Sequence, residues 1–107
     1  EFSVQAMESV QIKLDLGPRI ETKPGFLPAI VQGRVIAIKN KDEWNTLIAV
    51  NGVFQAVSPI IKISDQANIL AFLPEKAFKE GSNDVEVYLM KKPFEEGAKI
   101  FKPHLIQ

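Results

Sequence analysis

Three features of the sequence predict an all-β fold, an antiparallel β-sandwich of about seven short strands, with a small barrel as the alternative. Apolar and polar residues alternate over residues 10–16 and 84–90, the period-two pattern of a strand with one face buried and one wet. Turn chemistry recurs along the chain, at Gly17-Pro18, Asn51-Gly52, Ser64-Asp65 and Gly81-Ser82-Asn83. Only one stretch, residues 73–83, carries helix signals. There Pro74 suits a first turn, Glu75 lies near the positive end and Gly81 can close the other, which sets one short helical turn near residues 75–80.

Taken in order, "VQIKLDL" places Val10, Ile12, Leu14 and Leu16 on one face, and Gly17, Pro18 and Arg19 end that strand. Val4 and Ala6 are assigned to a preceding strand. Residues 20–30, "IETKPGFLPAI", read as a connecting loop, because Pro24, Gly25 and Pro28 oppose regular pairing. "IVQGRVIAIK" is rich in β-branched residues and reads as a strand, with Gly33 marking a bulge or a close backbone approach. "NKDEWN" is a polar turn leading into "TLIAV". Asn51-Gly52 then predicts a type I′ hairpin turn, since both central residues need positive φ, and makes "TLIAV" and "VFQAV" antiparallel neighbours.

Pro59 ends or kinks the second of these strands, and "IIKI" and "NILAFL" follow as two more around the turn "SDQA". In "DVEVYLM", Val85, Val87 and Leu89 share one face and Glu86, Tyr88 and Met90 the other. A last short strand is set around "AKIF". The predicted core draws on Val35, Leu47, Ala49, Val57, Ile69, Ala71, Val85, Val87 and Leu89, with Ile48 and Val50 competing for the inner face of "TLIAV". Phe26, Phe72, Phe78 and Phe94 are placed in the core or at its margins.

With 107 residues, the chain reads as a single β-sandwich domain, 1–107, able to bury roughly two-thirds of its unfolded surface. It is 46% hydrophobic and 24% charged, with 13 basic and 13 acidic side chains. That balance disfavours nucleic acid, whose binding draws on an excess of cations. No run reaches the ~18 apolar residues that a spanning helix needs, so no membrane contact is expected of this segment. The opening "EFSVQAMESV" has no initiator Met and suggests a domain excised from a longer chain; Glu1 and Phe2 are set aside from the fold reasoning.

Catalytic and metal chemistry find little to work with. There is no cysteine and a single histidine, His104, so zinc sites and Cys/His or Ser/His pairs are not expected. The six glycines stand apart without a phosphate-cradling pattern, and Ser58, Ser64 and Ser82 lack a nucleophile elbow. The carboxylates Asp42-Glu43, Glu95-Glu96, Asp84 and Glu86 read as solvated charge. The expectation is a non-enzyme with no cofactor and no metal. The aromatics are more open: Trp44, flanked by Asn40, Asp42 and Asn45, and Tyr88 are the candidate contacts for a ligand or partner. Trp44 either offers a stacking platform to a sugar or folds back over the core, and the second is favoured.

"LIAVNGVFQAV" followed by "ILAFLPEKAFKEGSNDVEVYLM" resembles the extracytoplasmic accessory domain of bacterial membrane-anchored sulfatase-like envelope proteins, over about residues 28–90. The shared pattern is a strand, an Asn-Gly turn, a second strand, then a strand ending in Leu-Pro-Glu, a short helical turn, Gly-x-Asn and an alternating strand. The resemblance implies an immunoglobulin-like sandwich outside the cytoplasm, in the periplasm or at the cell surface. Its partners would be other domains of the parent protein or another envelope protein, and it carries over no catalytic residue. A carbohydrate-binding module using Trp44 and Tyr88, with a glycan as partner, is the alternative.

Overall fold

The computed structural model describes residues 4–22, 30–92 and 99–106. They form nine strands: β1 (Val4–Leu14), β2 (Arg19–Thr22), β3 (Ile30–Ile36), β4 (Trp44–Val50), β5 (Val53–Pro59), β6 (Ile61–Ile63), β7 (Gln66–Phe72), β8 (Gly81–Lys91) and β9 (Ile100–Leu105). Two 3-10 turns, Lys41–Glu43 and Glu75–Ala77, complete the described elements. The second is the short helical turn that Pro74 and Glu75 predict. The first starts from Asn40 in the left-handed region, φ 54°, a conformation asparagine tolerates.

The strands join in one curled sheet, ordered β5-β4-β8-β9-β1-β3-β7-β6, with β2 added to β8. The all-β class is as predicted, but the sheet is mixed: β1 and β9 run parallel while the other pairs are antiparallel. Parallel neighbours are brought together by a long path rather than a tight turn, so no local sequence signal announces them. The strands number nine rather than about seven. One addition is β2, whose Ile20, Glu21 and Thr22 pair with β8 where the prolines suggested only a loop. The rest of that loop, residues 23–29, lies outside the described residues. Val4 and Ala6, assigned to a separate strand, belong to β1, which continues past a register shift between Met7 and Gln11.

The sheet curls until β5 meets β7, where the Ser58 hydroxyl accepts from the Leu70 N–H at 3.3 Å and lies 3.0 Å from the Leu70 carbonyl. The core fills the space between the two halves. Ile48, Val50, Val85, Val87 and Leu89 face Ile12, Leu14, Val31, Val35, Ile69 and Ala71 across it. The hairpin turn is as predicted, with φ of 51° at Asn51 and 82° at Gly52. Ser64 and Asp65 take the same conformation between β6 and β7, φ 49° and 65°, without a glycine. Gly33 marks a close approach, not a bulge: its register is unbroken against Leu14 and Ile69, and a Cβ there would sit 2.6 Å from the Lys13 carbonyl oxygen.

Burial corrects two of the core predictions. Val57 is 56% exposed and Phe72 71% exposed. Val57 pairs with Leu47 on the outer face of the sheet, and β5 ends the strand order on that side. Phe72 lies on the outer face of β7. The competition in β4 resolves in favour of both sets. Ile48 and Val50 join the main core, while Leu47 is buried on the opposite face with Met90 and Ile100 in a second cluster. A strand buried on both faces shows no clean alternation, which is why "TLIAV" left its register open. Phe78 is buried as expected, and the readings of Phe26, Phe94 and Glu95-Glu96 fall outside the described residues.

Candidate functional site

Trp44 opens β4 directly after the Lys41–Glu43 turn, opposite Lys91 of β8. It is in phase with Thr46, Ile48 and Val50, so the period of two turns its ring inward. The ring is partly buried against the main core and meets Phe101 edge to face, with centroids 5.6 Å apart at 83°. Asn45, one residue on, faces the other way and is partly buried opposite Pro59 and Met90.

Asp42 is exposed in the turn itself. Lys41 donates to its carboxylate at 2.9 Å, and this bond, together with the Lys41 charge, holds the Asp42 carboxyl below the usual carboxylate range. An open groove of about 390 Å³ runs beside it, lined in part by Asn40, Lys41, Asp42, Lys62 and Asp65. Its charges are already matched, since Lys62 and Asp65 lie 3.3 Å apart. Trp44 and Asn45 do not line this groove.

Tyr88 occupies the other face. It pairs with Leu47 across β4 and β8, out of phase with Trp44, so the two aromatics lie on opposite sides of the sheet. The Tyr88 hydroxyl donates to Glu86 Oε2 at 2.9 Å, and Lys102 Nζ reaches the same oxygen at 3.2 Å. Phe54 packs edge to face on the ring at 5.6 Å, and Lys102 Nζ stands 6.0 Å from its centroid. Burial first, then the bond and charge of Glu86, push the Tyr88 phenol up to about 12. Its proton is committed within the protein, and its ring is already partly covered.

The structure therefore brings Asp42 and Trp44 near one end of the sheet in sequence but aims them apart, and it separates Tyr88 from both. The groups that complete the Tyr88 cluster, Phe54, Glu86 and Lys102, come from three strands. Of these, only Glu86 was legible as a neighbour, through its i, i+2 spacing on β8. A further polar centre escaped sequence reasoning altogether. Asn83 is fully buried; its Oδ1 accepts from Lys79 N–H and from Asn51 Nδ2, both at 2.9 Å. Its Nδ2 donates to the carbonyls of Lys79 at 2.9 Å and Gly81 at 3.0 Å, with that of Ile20 at 3.3 Å. This amide ties β2, β8 and the Asn51-Gly52 turn together.

Comparison with known proteins finds no matching family model, no matching curated protein and no matching solved structure.

Proposed function

We propose that this chain is an immunoglobulin-like β-sandwich serving as a non-catalytic accessory or interaction domain of a larger bacterial envelope protein, outside the cytoplasm. Strand order supports the sandwich. With β1, β3, β4, β5, β6, β7, β8 and β9 taken as A, B, C, C′, D, E, F and G, one half of the curl reads A-B-E-D and the other C′-C-F-G. The long first strand bridges the halves by pairing with both β3 and β9. Trp44 stands on the strand equivalent to C and faces inward, as the core tryptophan of such domains does. The chain has no cysteine for the disulfide that usually accompanies it, and β2 lies outside the scheme.

One observation carries the choice between an interaction module and a sugar-binding one. Trp44 and Tyr88 lie on opposite faces, Trp44 against the core and Tyr88 under Phe54, so they form no common stacking platform. A lone aromatic gives little affinity for a neutral sugar, where each hydrogen bond gained from solvent nets about 0.5 to 1.5 kcal/mol. Placement outside the cytoplasm rests on the resemblance of residues 28–90.

Two measurements test this reading. In the full-length protein, an epitope inserted at the Ser64-Asp65 turn should be open to antibody or protease on intact cells or spheroplasts. Protection until lysis would place the domain inside and overturn the compartment. On a glycan array the wild-type chain should bind nothing, and Trp44→Ala should lower stability by about 2 to 4 kcal/mol through lost packing. Glycan binding that disappears in Trp44→Ala while the thermal midpoint holds would establish the carbohydrate-binding alternative instead.

A further inference from the structure

We infer that the outer face of β3, β7 and β6 is a docking surface for an amphipathic protein segment that presents apolar side chains together with carboxylates. The inference rests on the accessory-domain reading and adds the chemistry of the partner. Register puts five large apolar residues on this face. Ile30 and Phe72 are directly cross-strand, Leu70 lies two residues from Phe72, and Ile61 and Ile63 stand opposite Asn68 and Gln66. All five are exposed, from 38% at Ile61 to 71% at Phe72. Their inward neighbours Val31, Ile69 and Ala71 are buried, so the alternation has filled the core and still left a second apolar row outside.

Strands are spaced by about 4.8 Å and rise about 3.4 Å per residue. The patch across three strands is therefore on the order of 10 Å wide and somewhat longer, the footprint of one added helix or strand. The five side chains form one contiguous row rather than scattered single residues, the arrangement that marks a contact surface.

Charge selects the occupant. Lys13 and Arg34 are cross-strand partners and both exposed, on the same face as the patch. Neither takes part in an ion pair among the described residues, where five other pairs form. β3, β6 and β7 contain no Asp or Glu, and the polar residues between the apolar ones are Gln32, Gln66 and Asn68. Asp15 stands at the rim, its N–H bonded to the Gln32 carbonyl. Such a face is not self-complementary. A second copy laid on it across a two-fold axis would set Lys13 and Arg34 against a face whose strands β3, β6 and β7 carry no carboxylate and leave them unmatched, and isologous contacts require each patch to suit itself. A segment carrying glutamates or aspartates beside its apolar side chains would cover the row and neutralise Lys13 and Arg34 at once. Two cations are few for a polyphosphate ligand.

The test uses the 107-residue chain and two labelled soluble peptides, one alternating Glu with Val and Phe, the other the same with Lys for Glu, read by fluorescence anisotropy. The Glu peptide should bind and the Lys peptide should bind at least about tenfold more weakly, with the preference shrinking as salt screens the charges. Phe72→Ser, which removes an exposed side chain, should keep the thermal midpoint and cost about tenfold or more in affinity. The double variant Lys13→Glu/Arg34→Glu should reverse the peptide preference. Failure of both peptides to bind, equal binding of the two, or indifference to these substitutions would overturn the inference. A sedimentation-detected dimer dissolved by Phe72→Ser would give the face to a second copy, and Phe72-dependent binding to phosphatidylglycerol vesicles would give it to lipid; either result replaces the proposal. Cell accessibility and glycan binding are measured separately, so the accessory-domain reading and this one fail by different assays.

Discussion

Truncating Asn83 should damage the fold more than its size suggests. Its amide makes four bonds of 2.9 to 3.0 Å, two accepted from Lys79 N–H and Asn51 Nδ2 and two donated to the Lys79 and Gly81 carbonyls. Asn83→Ala removes all four in a site with no exposure. Each bond nets about 0.5 to 1.5 kcal/mol, and any partner left dry adds a desolvation cost, which sums to roughly 3 to 5 kcal/mol. That is a large part of the 5 to 15 kcal/mol that holds a typical domain. Urea unfolding followed by the fluorescence of Trp44, the one tryptophan, measures it directly. Two further variants separate the contributions. Asn51→Gly keeps a turn able to adopt positive φ but loses the Asn51 bonds to Asn83 Oδ1 and from Asp84 N–H, and should cost about 1 to 2 kcal/mol. Asn83→Asp keeps the acceptor but turns a second oxygen toward the Lys79, Gly81 and Ile20 carbonyls. Its folded-state pKa is then raised above the unfolded one, so the stability it retains is present at low pH and is lost as pH rises. The gap between wild type and Asn83→Asp should widen from pH 4 to pH 7. A loss below about 1 kcal/mol in Asn83→Ala, or a gap that ignores pH, would refute the reasoning.

Three other outcomes are expected. Gly33→Ala should destabilise by about 2 to 4 kcal/mol, because the new Cβ meets backbone of β1, Lys13 O at 2.6 Å and Leu14 Cα at 3.0 Å; an unchanged urea midpoint would contradict it. At Gly52 an added Cβ would meet nothing within 4 Å, so Gly52→Val should cost chiefly the backbone conformation, about 1 to 2 kcal/mol, and be the milder of the two glycine replacements. The Tyr88 phenol, pushed to about 12, should titrate with that midpoint by its phenolate absorbance. Since its folded pKa is raised, the stability linked to it is intact below about pH 10 and is lost as pH climbs through the folded value; a midpoint near the ordinary tyrosine value would show that neither burial nor Glu86 holds the proton.

Local chemistry made much of the fold legible. Asn51-Gly52 located a hairpin because few residue pairs adopt two consecutive positive φ angles. The alternation of Val85, Val87 and Leu89 located the inner face of β8, and all three are buried. Pairings distant in sequence were not legible. β1 beside β9, and β2 on β8, depend on where the chain returns after a long excursion, and neither strand carries a local mark of its neighbour. The spatial relation of the candidate residues was hidden for the same reason. Trp44 and Tyr88 were grouped as aromatics, yet their grouping depended on the register of β4 against β8, in which Trp44 meets Lys91 and Tyr88 meets Leu47. A register fixes which side each residue faces, and composition does not contain it.

The polar residues of the core nevertheless left a trace in the sequence. Asn83 is in phase with Val85, Val87 and Leu89, and Thr46 is in phase with Ile48 and Val50. The period of two therefore sends both inward among apolar neighbours, and both are fully buried. A polar group in that position is costly unless it is bonded, so the alternation itself requires each to have partners. Thr46 Oγ1 donates to the Ser58 carbonyl at 2.8 Å, and the Ser58 hydroxyl in turn engages Leu70. These contacts join β4 to β5 and β5 to β7, where the curl closes. Asn83 does the equivalent at the opposite end of β4, around the Asn51-Gly52 turn. The two polar clusters thus sit at the places where separate parts of the sheet must be held in register. A search for polar residues in phase with a buried stripe would have found both before any strand was paired.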